Sequence, residues 1–513
     1  MANLSYHIRK QARDEFEDNR GGTHSVPPDN QSPPETNKLF LLRKLMKLKL
    51  GKTAADYAEG LPDKTDYGDI GLLNNLPPAT LLKYVLQKHM ARRAGPHFDM
   101  RMGTPETGLY SWAIPKAELP EPGKRKLAVR TQLHRYSYAQ FEGTLKGYGA
   151  GTVEKADEGE VLITKAQPDQ INFVVAHHRV PETYTLKQTN GKNWLLINTT
   201  PQQSDAVNAH EKIPYTKVDA DKAEQLVAGG EHAVSEKLDG AMNLFTLLKD
   251  KIEATSYRKS AVGGQPIIHT YRIGQLTDLD IPKEWQGTIL KGEVIGEKAG
   301  KVIPSQTLGG LLNASVSNSL KSQARTGTEL KGAVFDVLKG PGGSDVSPDY
   351  GKRLETLKAA LAVLPQNKFI MPQTTTNPDE ARQMIADTKA GLNPRTKEGV
   401  VLTPLQGGGK PAKLKFKQEA NVYIRNIFPA ETQDGYYSRA GGFDYSNDPE
   451  GPVVGRVGSG LDRQTATDML NDPKRYVGRK ARIEALDQFP SGAYRAPVMR
   501  PMMEQEDLQH SEV

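Results

Sequence analysis

Ser235-Glu236-Lys237-Leu238-Asp239-Gly240 places a lysine two residues before a carboxylate and three before a glycine. A lysine attacks only as the free amine. Its reference pKa of roughly 10.4 means that a nucleophilic lysine needs surroundings that lower this value, such as metal ions or cationic side chains. The K-x-D-G spacing supplies a nucleophile, a carboxylate and a glycine where a ligand can approach the backbone. On its own the tetrapeptide is more often a surface lysine before a turn, so its meaning depends on the downstream segments.

Four such segments occur in order: Leu290-Lys291-Gly292-Glu293-Val294-Ile295, Val334-Phe335-Asp336-Val337-Leu338, Lys397-Glu398-Gly399-Val400-Val401-Leu402 and Lys413-Leu414-Lys415-Phe416-Lys417. In the last, strand alternation puts Lys415 and Lys417 on one face and Leu414 and Phe416 toward a core, so two cations are presented to one phosphate. Singly, a strand phenylalanine or an edge lysine is ordinary. As an ordered set with Lys237 they resemble the covalent nucleotidyltransferases, the family of DNA ligases and capping enzymes.

The resemblance implies that the Lys237 amine attacks the α-phosphorus of ATP, expels pyrophosphate and holds AMP. The AMP then passes to the 5′-phosphate of a nick, which the 3′-hydroxyl seals. It assigns Lys237, Asp239, Lys415 and Lys417 to catalysis. Glu236, Lys237, Arg258, Glu293, Phe335, Glu398, Lys415 and Lys417 go to the nucleotide, with Glu293 on the ribose and Phe335 stacked on adenine. Glu398 falls to a Mg2+ or Mn2+ ion. Such phosphoryl transfer demands charge neutralisation and alignment. Two positions depart from the pattern: Met242 stands where an arginine is usual, and no R-x-D-K is recognisable in Arg495-Ala496-Pro497-Val498-Met499-Arg500, leaving Arg500 as a substitute. Gly407-Gly408-Gly409-Lys410 lacks phosphate-loop spacing and reads as a flexible turn.

With 513 residues the chain exceeds one hydrophobic core, and two to four domains are expected. Its 68 basic and 61 acidic residues leave a net charge of +7, which permits a polyanionic partner without demanding one. The absence of cysteine excludes disulfides, thiolate zinc sites and cysteine nucleophiles, and argues against the NAD-dependent ligases with their cysteine zinc module. No apolar run approaches membrane-spanning length, so a soluble cytoplasmic protein is expected.

Along the chain, residues 1–37 read as a disordered tail. Residues 38–77 read as a helical extension, with apolar residues at helical spacing from Leu39 to Leu50 and a stop at Gly51. From 78 to 200 short alternating segments broken by Gly and Pro predict an all-β domain. There, after Gly95-Pro96, alternation puts His97, Asp99 and Arg101 on one strand face and Phe98, Met100 and Met102 on the other. His134 and Tyr138 share a side at a spacing of four. Imidazole with carboxylate suits a divalent metal, and arginine with histidine and tyrosine suits a phosphate.

Gln87-Lys88-His89, His97-Phe98-Asp99-Met100-Arg101, Ser111-Trp112-Ala113-Ile114-Pro115-Lys116, Lys126-Leu127-Ala128-Val129-Arg130, Phe141-Glu142-Gly143 and Tyr148-Gly149-Ala150-Gly151-Thr152-Val153 resemble the 3′-phosphoesterase domain of bacterial ligase D. That resemblance implies Mn2+ on His89, His97 and Asp99, with Arg101, His134 and Tyr138 as the phosphate-contacting and catalytic residues. The loop between His89 and His97 is about two residues longer than the family's.

Residues 201–225 read as a linker with a short helix at Ala220–Val227, 226–425 as the nucleotidyltransferase (adenylation) domain, and 426–513 as an OB-fold whose first hairpin Val453–Gly460 resembles. The fold class is thus multidomain α+β: a β-rich phosphoesterase, a nucleotidyltransferase of ATP-grasp-like antiparallel sheets and a C-terminal OB-fold β-barrel. The function expected is ATP-dependent sealing of nicked or broken duplex DNA by a monomer that also heals 3′ ends, with a Ku-like end-binding protein as partner. An RNA ligase of the same superfamily and a nucleic-acid-binding scaffold with decayed sites are the alternatives.

Overall fold

The computed structural model describes residues 73, 80–147, 149–201, 215–259, 266–396, 398–430, 439–489 and 491–500, without the side chains of Arg258 and Lys259. The tail 1–37, the helix expected over Leu39–Leu50, most of the proposed linker, Tyr148, Lys397 and the end of the chain lie outside the described residues. Among the described residues no helix is long and apolar enough to cross a membrane.

The first unit is made by β1 (Leu81–Ala91), β2 (Gly95–Thr104), β3 (Gly108–Pro115), β4 (Arg125–His134), β5 (Gly143–Leu145), β6 (Gly151–Gln167), β7 (Gln170–Val175), β8 (Glu182–Asn190) and β9 (Asn193–Asn198). The pairing order β1-β2-β3-β4-β9-β8-β7-β6 closes through β1 on β6, so eight strands form a barrel and β5 adds to β6 outside the ring. Closure leaves no open edge in the ring. The core takes alternate residues, Leu82, Tyr84 and Leu86 from β1 and Met100 and Met102 from β2, packed around Trp112.

Two sheets follow. The larger runs Pro266–Ile268, Ile252–Lys259, Ala241–Leu247, Ile289–Lys298, Glu329–Lys339 and Phe369–Ile370, with Lys301–Val302 paired to Ile289–Lys298. The smaller runs Thr216–Lys217, Ala412–Lys415, Gly399–Pro404, His232–Glu236 and Thr374–Thr375. His232–Glu236 belongs to the smaller sheet and Ala241–Leu247 to the larger, so Lys237 to Gly240 is the chain's crossing between them.

The helix Ala220–Ala228 is capped by Asp219, whose carboxylate accepts from the Lys222 amide. It buries Ala223 and Val227 in the smaller sheet's core, while Thr216–Lys217 pairs in parallel with Ala412 and Lys413. The part of the expected linker from Tyr215 onward is therefore packed structure, because its apolar stripe has a sheet to cover.

The last sheet orders its strands Gly455–Val457, Ala440–Ser446, Gln418–Pro429, Lys480–Ala485 and Val498–Met499, with the helix Arg463–Asn471 between the third and fourth in sequence. Its first strand starts at Gln418, earlier than the boundary at 426 expected from sequence. The stretch Val453–Gly460 supplies the third strand of this sheet, so it is not the first hairpin. The Met499 amide donates to the Ser459 carbonyl at 2.9 Å, linking the two ends of the sheet.

The barrel meets the larger sheet through Leu162, Val174 and Ala176 against Tyr271 and Val316. The Ser317 amide donates to Ala176 O at 2.8 Å. Arg272, 1% exposed, donates to the carbonyls of Ala314, Ile268 and Arg179. Removing that guanidinium takes the donor from the part-buried carbonyls of Ala314 and Ile268, at about 1 kcal/mol or more each. Arg272→Met is therefore expected to lower the Tm by roughly 5 °C or more, measured by differential scanning calorimetry, whereas Lys165→Met, which loses one exposed ion pair with Asp278, should change it little.

Candidate active sites

β1 and β2 pair in a register that sets His89 directly opposite His97, with a turn of three residues, 92–94, between the strands. Asp99 follows two residues on, so one ligand atom each from His89, His97 and Asp99 lies within 4.8 Å of the others. Each imidazole is oriented by a backbone carbonyl: His89 Nε2 sits 2.9 Å from Gly149 O, and His97 Nδ1 sits 3.0 Å from Gly95 O. The remaining nitrogens, His89 Nδ1 and His97 Nε2, face Asp99 at 3.6 and 3.8 Å. This pattern directs two lone pairs and a carboxylate at one point. Burial pushes the Asp99 carboxyl up, but Arg101, His89 and His97 outweigh it and hold it at about 2.

Arg101 is fixed from all sides. Its Nη2 meets Asp99 at 3.0 Å, its Nε donates to Gln87 Oε1 at 2.7 Å, and its Nη1 donates to Ser111 Oγ. Nη1 also lies 3.2 Å from His134, and the guanidinium stands 4.9 Å from the centre of the Tyr138 ring. His134 ends β4 and Tyr138 lies in the short 3-10 turn Tyr136–Gln140, with ring centres 5.0 Å apart. Burial, then Arg101, push His134 down to about 3, so its imidazole is neutral beside the arginine. Gln87, fully buried, also donates to Phe141 O at 2.8 Å and carries the turn with it. Its positioning role and that of Ser111 were not readable from sequence, since both are defined by what they touch.

At the crossing between the two sheets, Glu398 accepts from Lys237 Nζ at 2.9 Å and from Lys415 Nζ at 2.6 Å. The Lys237 amide donates to Gly399 O at 3.0 Å. Lys237 and Lys415 line a cavity of about 720 Å³ together with Tyr215, Lys291, Glu293, Phe335 and Lys413. Lys291 Nζ lies 5.9 Å from the ring centres of both Tyr215 and Phe335. Tyr350 donates to Phe335 O at 2.8 Å and Arg353 Nε to Asp336 at 2.7 Å, which hold the Phe335 strand.

Several placements differ from the sequence reading. Lys237 is not lowered: burial pushes it down, but Glu398, Glu293 and Asp239 outweigh burial and hold it above the ordinary lysine value. Gly240 makes room for the neighbouring strand instead of a ligand, since a Cβ there would lie 2.7 Å from Val294 O and 2.8 Å from Glu293 Cβ. Lys417 lies beyond the strand that ends at Lys415, so alternation does not carry it to the same phosphate. It turns to Glu484 at 3.2 Å, where Arg500 also pairs at 2.5 Å.

Arg495, not Arg500, is the C-terminal cation brought to the K-x-D-G stretch, 2.7 Å from Asp239. Glu236 borders the cavity, but both its oxygens are taken by Arg395, Asn393 and the Gln373 amide. Met242 lines the cavity, opposite Glu293 in the ladder. Cations that line the same cavity and that the sequence reading did not assign to the site include Lys291, Arg353 and Lys413. The Gly408-Gly409-Lys410 turn also reaches the cavity wall.

Comparison with known proteins bears on the barrel. Residues 87–188 match the DNA ligase D 3′-phosphoesterase domain. The match covers about a fifth of the chain. The multifunctional non-homologous end joining DNA repair protein LigD of Mycobacterium tuberculosis is 35% identical over 130 residues, 24% of this chain and 17% of that protein. The LigD of Pseudomonas aeruginosa is 43% identical over 81 residues, 15% of this chain and 9% of its own. The matched part thus spans under a fifth of these relatives' length. Among solved structures, the ligase domain of M. tuberculosis LigD aligns with 57% of this chain and 96% of its own at 17% identity and a TM-score of 0.28. The ATP complex of the bacteriophage T7 ligase aligns with 57% and 99% at 15% identity and 0.30. The matched segment contains the whole His89, His97, Asp99, Arg101, His134 and Tyr138 constellation.

Outside that domain, Glu293 gives a testable pH signature. Burial first, then the nearby Glu398 and Asp239, push its carboxyl from 4.5 up to about 7. The folded state keeps a proton that the unfolded chain gives up, so stability falls as pH rises from about 4.5 to 7. At about 1.4 kcal/mol per pH unit this is on the order of 3 kcal/mol. Glu293→Gln is expected to flatten that decline, with the gain over wild type growing between pH 5 and 8 in urea titrations.

Proposed function

We propose that the chain is an ATP-dependent DNA ligase joined to a 3′-end-healing phosphoesterase. The observation that carries the ligase reading is Lys237 Nζ at 2.9 Å from Glu398 on the wall of a cavity large enough for a nucleotide. In this reading residues 215–417 form the adenylation domain. The C-terminal sheet is an OB-fold, a reading supported by its strand order and by the helix between its third and fourth strands.

Lys237 forms the bond to the α-phosphorus as pyrophosphate leaves, and its amine must first lose the proton that Glu398, Glu293 and Asp239 favour. Lys415 and Lys413 offer positive charge to the phosphates, and Phe335 with Tyr215 offers apolar rings to a base. Glu293 faces the ribose. Glu398 is the carboxylate that would hold the nucleotide's Mg2+ or Mn2+, an ion that supplies charge to the α-phosphate. Arg258 keeps the phosphate- or nick-binding place that the resemblance gives it, while Lys417, paired with Glu484, is left out of the nucleotide site.

In the phosphoesterase domain His89, His97 and Asp99 would hold Mn2+, which lends Lewis acidity to a phosphoryl oxygen and lowers the pKa of a bound water. Arg101 carries the fixed positive charge for the 3′-phosphate. His134 and Tyr138 stand beside it as a neutral imidazole and a protonated phenol. The substrate is nicked or broken duplex DNA, the working form a cytoplasmic monomer, and a Ku-type end-binding protein the partner class.

Lys237→Ala should form no covalent adduct with α-labelled ATP and seal no unadenylated nick; an adduct in that variant would refute the nucleophile. The wild-type rate of adduct formation should rise with pH, because the attacking amine is held protonated. Asp99→Ala should lose trimming of a 3′-ribonucleotide or 3′-phosphate by at least a hundredfold while still joining clean ends. A panel of nicked DNA and RNA duplexes separates the DNA reading from an RNA ligase.

A further inference from the structure

A second constellation lies on the barrel outside the proposed catalytic residues. Asp157, His177 and His178 each offer a ligand atom within 4.8 Å of the other two. Asp157 pairs with Leu86 in the β1–β6 ladder and Val153 with His89, so three residues of β1, roughly 10 Å, separate it from the first cluster.

Consecutive residues of a strand point to opposite faces, and neighbouring histidines would diverge. Here β7 ends at Val175 and the chain bends over 177–180, which turns both rings toward Asp157. His177 Nε2 lies 2.9 Å from Asp157 Oδ1, and His178 Nε2 lies 3.3 Å from Asp157 Oδ2. The outer nitrogens are engaged as well: His178 Nδ1 meets Glu182 at 3.2 Å, and His177 Nδ1 lies 3.1 Å from the Glu160 carbonyl and 3.2 Å from its amide. Tyr184 donates to Glu182 at 2.7 Å and steadies that carboxylate. The His177 ring occupies space that only a glycine leaves open, since a Cβ on Gly159 would lie 2.2 Å from its Cγ.

We propose that Asp157, His177 and His178 form a second divalent-cation site, one that takes a zinc-class transition metal and serves structure instead of catalysis. Two imidazoles with a carboxylate suit such an ion, whereas Ca2+ and Mg2+ prefer all-oxygen sets. The bound ion takes the place of the proton that a ring nitrogen otherwise shares with Asp157, and that proton leaves to solvent. Glu182 and the Glu160 carbonyl act as the outer acceptors that orient ligating histidines. The bend so fixed is the one whose Ala176 and Arg179 carbonyls accept from Ser317 and Arg272, so the ion would stiffen the barrel's contact with the larger sheet.

The test titrates Co2+ into the full chain at micromolar concentration, without nucleotide, after chelator treatment and desalting, and reads the visible ligand-field absorption. Wild type is expected to bind two ions. His178→Ala should bind one, His97→Ala/Asp99→Ala should bind one, and the triple variant none. His178 is half-exposed, so its single variant is a fair test apart from folding. An unchanged stoichiometry in His178→Ala, a single wild-type ion that only His97→Ala/Asp99→Ala loses, or binding at Asp157, His177 and His178 only at millimolar concentration would overturn the proposal.

Discussion

The Glu398 carboxylate, buried between two lysines, is the interaction on which the central part of the molecule depends. Taking one carboxylate and two ammonium groups out of water is costly unless each finds a partner, and here Glu398 partners both Lys237 and Lys415. The bond joins three segments at once: the crossing between the sheets, the start of Gly399–Pro404, and the strand end at Lys415, which lies opposite Gly399 in the ladder. Lys237 is thereby held at the cavity wall in one position. The same pairing keeps it charged, so the protein alone stores its nucleophile in the unreactive form.

Both candidate sites separate their titratable groups into opposite roles by environment. In the barrel Asp99 stays ionised because of the cations around it, while His134 stays neutral because it is buried beside Arg101. Around Lys237, Glu398 is kept ionised by its two lysines, whereas Glu293, with no such pair of cations, is pushed up to about 7 by burial first and then by its carboxylate neighbours. Two glutamates near one lysine are thus shifted in opposite directions, and the difference follows from their partners.

The three parts of the described chain are tied by polar contacts at defined points. Arg272 and Ser317 join the larger sheet to barrel carbonyls. Arg495 reaches from the C-terminal sheet to Asp239, and Lys417 with Arg500 converges on Glu484. The carboxylate of the K-x-D-G stretch is therefore a docking point as well as a neighbour of the nucleophile: its Oδ2 also accepts from the Ser305 amide at 3.2 Å.

What the sequence by itself determined were the properties set by local period and chemistry. Alternation in β2 sends Met100 and Met102 to the core and leaves His97, Asp99 and Arg101 for the site, and Asp219 starts the helix that follows it. The order of Lys237, Glu293, Phe335 and Lys415 marked the cavity, and Glu398 the partner of its two lysines, before the walls were known. Tertiary structure alone decided which charges meet. Arg495 and Asp239 are 256 residues apart, and Arg395 and Glu236 are 159 apart, so no local spacing encodes either pair. Lys417 left the expected face because the strand stops at Lys415, and Gly240 proved necessary because Glu293 comes from another strand. The pKa of Lys237 followed the same rule: its sign depends on three carboxylates, of which Glu398 and Glu293 arrive only when the two sheets pack.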